Sequence, residues 1–255
     1  MSLRYVVYAN DNTAVPDDDP TIPHELADHL AASDPGLLEY GCFNLDHFVS
    51  WLQGLKRRHR TIGEMTLISH GAAGSLAFGT STVSISNLYR IVNADISEVF
   101  ARGATIRIIG CELVADADGE LFLARFARCL LNARGGLMTA SRVAIAYVPG
   151  TTVSFALAPD SWVEARVATG GNVTLANHVF LDSGRLNARL AAAQRTFDAV
   201  GSHIPPERRR GTEDKLYQVR MLLRRGRSTS YTDLHTANDR LKRIEDRLAL
   251  LLSTP

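Results

Sequence analysis

No stretch of this sequence approaches the ~18 consecutive apolar residues that a membrane-spanning helix needs. Its first ten residues, MSLRYVVYAN, also lack a basic segment followed by a long apolar run. A cytoplasmic protein with no membrane span is therefore expected. Cysteine is scarce: there are three, Cys42, Cys111 and Cys129, with no Cys-x-x-Cys pair. So small and odd a set argues against a disulfide framework or a zinc ribbon and predicts reduced thiols, one of which is a candidate for reactivity. Net charge is nearly nil, with 28 Lys+Arg against 27 Asp+Glu, so the whole chain has no electrostatic footprint for nucleic acid. None of His24, His29, His47, His59, His178, His203 and His235 stands at a metal-ligand spacing, and neither a metal nor a cofactor is expected. Residues 71–75 read Gly-Ala-Ala-Gly-Ser, which is not the Gly-x-Ser-x-Gly elbow of an α/β serine hydrolase. Internal repeats and low-complexity tracts are missing too.

What is present is enough apolar residue, 45% of 255, for one sizeable core and an appendage. Residues 3–9 (LRYVVYA), 65–69 (MTLIS) and 105–109 (TIRII) are β-branched or apolar runs that end in polar or glycine residues, and they read as buried strands. Helices are predicted between them, over about 23–32, from a cap at Asn44 through Leu45, Phe48, Val49, Leu52 and Leu55, and over about 86–101. Another starts near Asp118 and runs to Leu131. A small hairpin is predicted over 75–85, and further strands over 136–147, 152–157, 162–168 and 172–181. Such alternation predicts an α/β fold, a mostly parallel sheet flanked by helices on both faces.

From Ser183 the pattern turns helical, which divides the chain into an α/β domain over 1–182 and a helical extension over 183–255. A break is expected at residues 205–211, followed by helices over about 213–224 and 232–252. In the last of these, Leu234, Ala237, Leu241, Ile244, Leu248 and Leu251 recur at spacings of three and four. From Ser202 onward there are 12 basic residues against 7 acidic, net +5, which leaves net −4 for the preceding chain. Leu216, Val219, Leu222 and Leu223 interrupt the basic residues with a packing surface. The extension therefore reads as a site of partner binding or self-association over 213–252 rather than a nucleic-acid site.

Two residues carry the chemical signal. His70 and Cys111 each follow an apolar strand directly, and in an open α/β sheet catalytic groups gather at the carboxyl ends of parallel strands. They are 41 residues apart, room for a hairpin and a crossover. A thiol near a histidine or a helix N-terminus becomes thiolate at neutral pH, and thiolate is the nucleophile. Backbone N–H groups of Gly71 and Cys111 are natural donors to an oxyanion. A plainer reading also fits: a small buried cysteine and a His-Gly turn. Cys42 and Cys129 fall on predicted helices and read as core.

Ser69-His70-Gly71 and Gly110-Cys111 resemble the histidine–glycine and cysteine elements of the caspase-like clan of cysteine peptidases. A closer similarity is to an uncharacterised caspase-like domain of large bacterial surface proteins. It is carried by ISHGAAGSLAFG (68–79) and IIGCELVADADGELFLARFA (108–127) and spans roughly residues 3–141. The resemblance implies a cofactor-free thiol protease, a hydrolase acting on a protein or peptide substrate, with His70 as base and acid and Cys111 as nucleophile. Ile-Gly-Cys-Glu stands where true caspases have Gln-Ala-Cys, with histidine ~50 residues upstream, so substrate preference stays open. Asp11, Glu112, Asp116 or Asp118 could line an acidic pocket for a basic residue, or be solvated loop acids and helix caps. With such a pocket, Arg208-Arg209-Arg210 and Arg224-Arg225 would be self-cleavage points. The alternative is a catalytically inactive scaffold that binds a partner through its C-terminal helices.

Overall fold

The structure, a computed structural model, describes residues 2–9, 22–110, 112–143, 161–201, 204–224 and 231–253. Its chain forms two compact units, Met1–His178 and Val179–Pro255.

The first unit is α/β. Its sheet has the order β10-β9-β8-β7-β3-β1-β2. β1 (Leu3–Ala9), β2 (Leu38–Cys42), β3 (Ile62–Ile68), β7 (Phe100–Ile109) and β8 (Gly136–Ser141) run parallel, whereas β9 (Trp162–Val167) and β10 (Val173–Ala176) are antiparallel additions. Side chains alternate between the faces: one carries exposed Glu64, Thr105 and Arg107 and is apolar only toward the carboxyl ends of β3 and β7, and the other is buried over Met65, Leu67, Ile106 and Ile108. On one, α1 (Ile22–Ser33) sets Leu26 and Ala27 into a cluster with Val6, Ile68 and Ile109. On the other, α2 (Leu45–Arg57) places Trp51 edge-on against Tyr5, ring centroids 5.0 Å apart. There, too, α4 (Ala117–Leu131) packs against β7 to β10 over Ile106, Ile108, Met138, Ala140, Val163 and Ala165, all buried.

Local chemistry explains the helix ends. Asn44 caps α2 by accepting from His47 N at 2.8 Å, and Lys56 and Arg57 occupy its last turn, where cations suit the dipole. Asp116 caps α4 by accepting from Gly119 N at 2.8 Å.

Several expectations are corrected. Cys42 is on a strand, as the wholly buried last residue of edge strand β2, and not on a helix. Leu-Glu-Tyr-Gly-Cys lacks a β-branched run. Its strand is held by pairing with β1, and Gly41 is needed because a Cβ there would lie 2.9 Å from the Tyr8 ring. A helix over 86–101 does not form. In its place are a 3-10 turn at Ile85–Asn87, the five-residue α3 (Tyr89–Asn93) and a second 3-10 turn at Ser97–Val99. Asn93 and Asp95, the latter left-handed at φ 49°, end the helical path, and β7 begins at Phe100. The 75–85 hairpin is present as β5 (Ser75–Phe78) and β6 (Ser81–Ser84), joined by the two-residue β4 (Gly71–Ala72). β8 stops at Ser141 and β10 at Ala176, and the strand expected over 152–157 lies outside the described residues.

The described residues of the second unit form three helices, α5 (Ser183–Val200), α6 (Pro206–Leu223) and α7 (Tyr231–Ser253), each packed on the other two. The break expected over 205–211 falls earlier, between the end of α5 at Val200 and the start of α6 at Pro206, and residues 206–211 are helical. Pro205 is the N-cap and Pro206 the first helical residue of α6, where the ring's fixed φ suits a helix start and the missing N–H is unneeded. The spaced apolar residues Leu234, Ala237, Leu241, Ile244 and Leu248 are the buried face of α7. Arg189 of α5 grips Glu245 with two bonds of 3.1 and 2.6 Å and Asn238 at 2.6 Å. Arg208, Arg209 and Arg210 lie within α6, a helix rather than the exposed loop that proteolysis favours. Among the described residues no helix is long and apolar enough to cross a membrane.

Two glycines test this packing in opposite directions. A Cβ at Gly119 would strike the Leu113 carbonyl and sit 2.7 Å from Val114 Cα, whereas one at Gly211, inside α6, would meet nothing within 4 Å. Chemical denaturation should show Gly119→Ala losing about 1–3 kcal/mol and Gly211→Ala gaining about 0.5–1 kcal/mol. Equal effects of one sign would contradict the packing.

Candidate functional site

The site is built by the pairing of β3 with β7. In their register Thr66 faces Arg107, Leu67 faces Ile108 and Ile68 faces Ile109, an offset of 41 that holds from Glu64 onward, after a register shift beyond Ile62. The pairing runs one step past the strand ends, where Ser69 N donates to Ile109 O at 3.0 Å. His70 and Cys111 are separated by the same 41 residues. Cys111 itself lies outside the described residues, between described neighbours Gly110 and Glu112. Gly110 is pressed against the histidine loop: a Cβ there would lie 3.1 Å from Ser69 O and 3.9 Å from Gly71 N.

The histidine side is held from its backbone. The His70 carbonyl accepts from Ala77 N at 2.8 Å. Ser69, 5% exposed, donates its hydroxyl to the Ala77 carbonyl and lies 3.1 Å from His70 O. These bonds fold the β4–β5 hairpin back onto the histidine. The ring is half-buried, with Nε2 sealed from water and without a hydrogen-bond partner among the described residues. Leaving a buried polar atom unsatisfied costs about 1–3 kcal/mol. Native structures keep few such groups outside functional places.

The cysteine side is bracketed from both directions. Gly74 N, in the hairpin turn, donates to Leu113 O at 3.1 Å. From the far side, Glu112 N reaches Val143 O at 3.4 Å and Val114 N reaches Ser141 O at 3.3 Å, tying the loop to the end of β8. Glu112 is left-handed at φ 50°, an uncommon conformation for a residue with a side chain. The close fit of Gly119 under Leu113 and Val114 brings the first turn of α4 against the same loop.

Of the acidic pocket candidates, Asp11 lies outside the described residues, Glu112 is exposed, and Asp116 is engaged as the cap of α4. The helix-cap alternative thus holds for Asp116. The structure adds residues that local sequence could not point to. Ser141 and Val143 meet the cysteine loop only because β8 lies beside β7. Glu120, wholly buried in the first turn of α4, has its Oε1 3.8 Å from Arg142 Nη2, a second tie between α4 and the end of β8. Gly110 and Gly119 were the visible signals, two glycines bracketing one loop.

The other thiols sit apart from this arrangement. Cys42 and Cys129 are free, and burial pushes both thiols above their ordinary range. Beside Cys42, burial first and then the cysteine's charge push the Tyr40 hydroxyl up to about 12. Among the described residues, one group of ligand-type side chains gathers that sequence spacing did not suggest. His24 Nε2 is 3.5 Å from Asp28 Oδ1 and 3.8 Å from Glu39 Oε1, and all three residues are exposed. Burial, followed by the charge of Asp28, raises the Glu39 carboxyl above its ordinary value.

Residues 44–136, from the cap of α2 to the start of β8, match the model of a family described as Domain of unknown function (DUF4347). That span, under half of the chain, holds the whole hairpin after β3, the loop after β7 and α4. No curated protein matches the chain.

Burial gives a direct check on the thiols. In native protein exposed to iodoacetamide, Cys42 should stay unmodified over a period in which the denatured chain reacts fully, read by mass spectrometry. Modification of Cys42 at the denatured rate would contradict its place at the buried end of β2.

Proposed function

We propose that the chain is a cysteine endopeptidase of the caspase-like type, with His70 and Cys111 as its catalytic pair. The observation that carries this reading is the sealed Nε2 of His70, without a hydrogen-bond partner among the described residues, at the end of a strand whose register with β7 has the offset of the His70–Cys111 separation. The sequence resemblance to the caspase-like clan supports it independently.

The chemistry follows from these groups. His70 takes the thiol proton, and the Cys111 sulfur attacks the carbonyl carbon of the scissile peptide bond. The N–H groups of Gly71 and Cys111 stabilise the oxyanion, and its collapse breaks the C–N bond. His70 returns its proton to the leaving amine, then activates a water that hydrolyses the thioester and frees the thiol. No metal or cofactor enters this cycle. The substrate is a protein or peptide, and an acidic pocket from Asp11 or Glu112 would favour a basic residue before the cleaved bond. The free thiols Cys42 and Cys129 accord with a reducing compartment, and we place the protein in the cytoplasm. A non-catalytic scaffold is the second reading, favoured by the exposed apolar surface of the helical unit.

The test is labelling with a mild electrophile across pH. An activated Cys111 reacts well below the free-thiol pKa of ~8.5, and His70→Ala should slow that reaction about tenfold or more. Reaction no faster than that of Cys129, and indifferent to His70→Ala, would sink the peptidase reading in favour of the scaffold.

A further inference from the structure

The helical unit has an apolar trench that its own packing leaves open. α6 presents two apolar faces. One, with Leu216, Val219 and Leu223, is buried in the three-helix core. The other has Tyr217 and Met221, one turn apart and 59% and 44% exposed. With Leu222 and Gln218 of α6 and Asp233 and Arg240 of α7, they line an open trench of about 500 Å³. Gln218 and Arg240 join across it, Nη1 donating to Oε1 at 2.9 Å.

The rim of this trench is cationic. Arg224 follows Tyr217 by seven residues and Met221 by three, which puts it on the same face of α6. Arg243 and Arg247 follow Arg240 by three and seven on α7. Among the described residues none of these four arginines has an ion pair, and the hydrogen bond of Arg240 goes to a neutral amide. Three carboxylates share these faces, Asp233 in the trench and Asp214 and Glu213 three and four residues before Tyr217, and Glu213 is already held by Arg209 at 3.1 Å. Arginine therefore outnumbers acid around an apolar floor, within a segment of net +5.

We propose that this trench seats an acidic amphipathic helix of a partner protein. Large apolar side chains at i and i+4 of that helix lie between Tyr217, Met221 and Leu222, and its carboxylates reach Arg224, Arg240 and Arg243. A helix suits the surface because the described part of this unit contains no strand edge to which an extended peptide could add its backbone bonds. A second copy would bring one basic tail against another, and a nucleic-acid backbone has no use for an apolar floor. The trench is independent of the peptidase reading, since none of its residues belongs to the His70 site.

The experiment measures fluorescence anisotropy of a labelled designed helix, leucine at i and i+4 flanked by glutamate, titrated with the full chain. Saturable binding is expected that weakens with added salt. It should fall about tenfold or more in Met221→Ser and in Arg240→Glu, as for central contacts of an interface. Circular dichroism confirms that both exposed-site variants stay folded. No saturable binding would overturn the proposal, as would equal affinity for the same helix with lysine in place of glutamate, or an unaltered affinity in Met221→Ser. Displacement of the helix by single-stranded DNA would reassign the trench to nucleic acid. Sedimentation showing self-association that Met221→Ser abolishes would give it to a second copy.

Discussion

The structure depends on one pairing, β3 alongside β7 in parallel with Ile68 opposite Ile109. Both isoleucines are buried in the α1 cluster, and their neighbours Leu67 and Ile108 are wholly buried on the opposite face. Because side chains alternate every residue, a slip of one position would turn both apolar sets the wrong way. Burial on two faces therefore fixes the register. With the register fixed, the chain leaves the two strands at the same edge, and the loops with His70 and Gly110 emerge side by side.

Holding those loops together requires close backbone approaches. Gly110 lies against Ser69 and Gly71, and Gly119 tucks beneath Leu113 and Val114. Gly74, at φ 74°, turns the hairpin so that its N–H meets the Leu113 carbonyl. A side chain at Gly110 or Gly119 would force these backbones apart. Left-handed Glu112 and the Nε2 of His70, which has no hydrogen-bond partner among the described residues, sit between well-packed elements. A rigid sheet and α4 thus hold Glu112 in a conformation that is unfavourable by itself.

Much of this was legible in the sequence. The three central strands are largely apolar runs, buried on both faces toward their carboxyl ends, and each ends at a polar or glycine residue. Thus the α/β architecture and the edge with His70 and Gly110 follow from local pattern. Asn44 announced its helix by residue type. β2 was not legible, because Glu39 and Gly41 weaken its strand signal and its order comes from β1 and the Tyr8 ring. Around residues 86–101, buried Leu88 with Ile91, and Ile96 with Val99 and Phe100, imitate helical spacings of three and four, while Asn93 and Asp95 divert the backbone. Pro205-Pro206 reads as a break, yet it also starts α6, because proline suits the first turn of a helix. The contacts of Ser141 and Val143 with the cysteine loop are long-range and have no local signature. Likewise, the exposed second face of α6 emerges only once its first face is buried.

The β3–β7 register is tested most directly by whether residues 70 and 111 meet. Adjacent strands lie ~4.8 Å apart, within the ~4.4–6.8 Å Cα separation that a disulfide accepts. The variant His70→Cys, oxidised under native conditions and digested without reduction, should therefore yield a peptide pair linked through the introduced thiol and Cys111. Recovery of both thiols unlinked, or linkage of the introduced thiol to Cys42 instead, would contradict the register on which the proposed site is built.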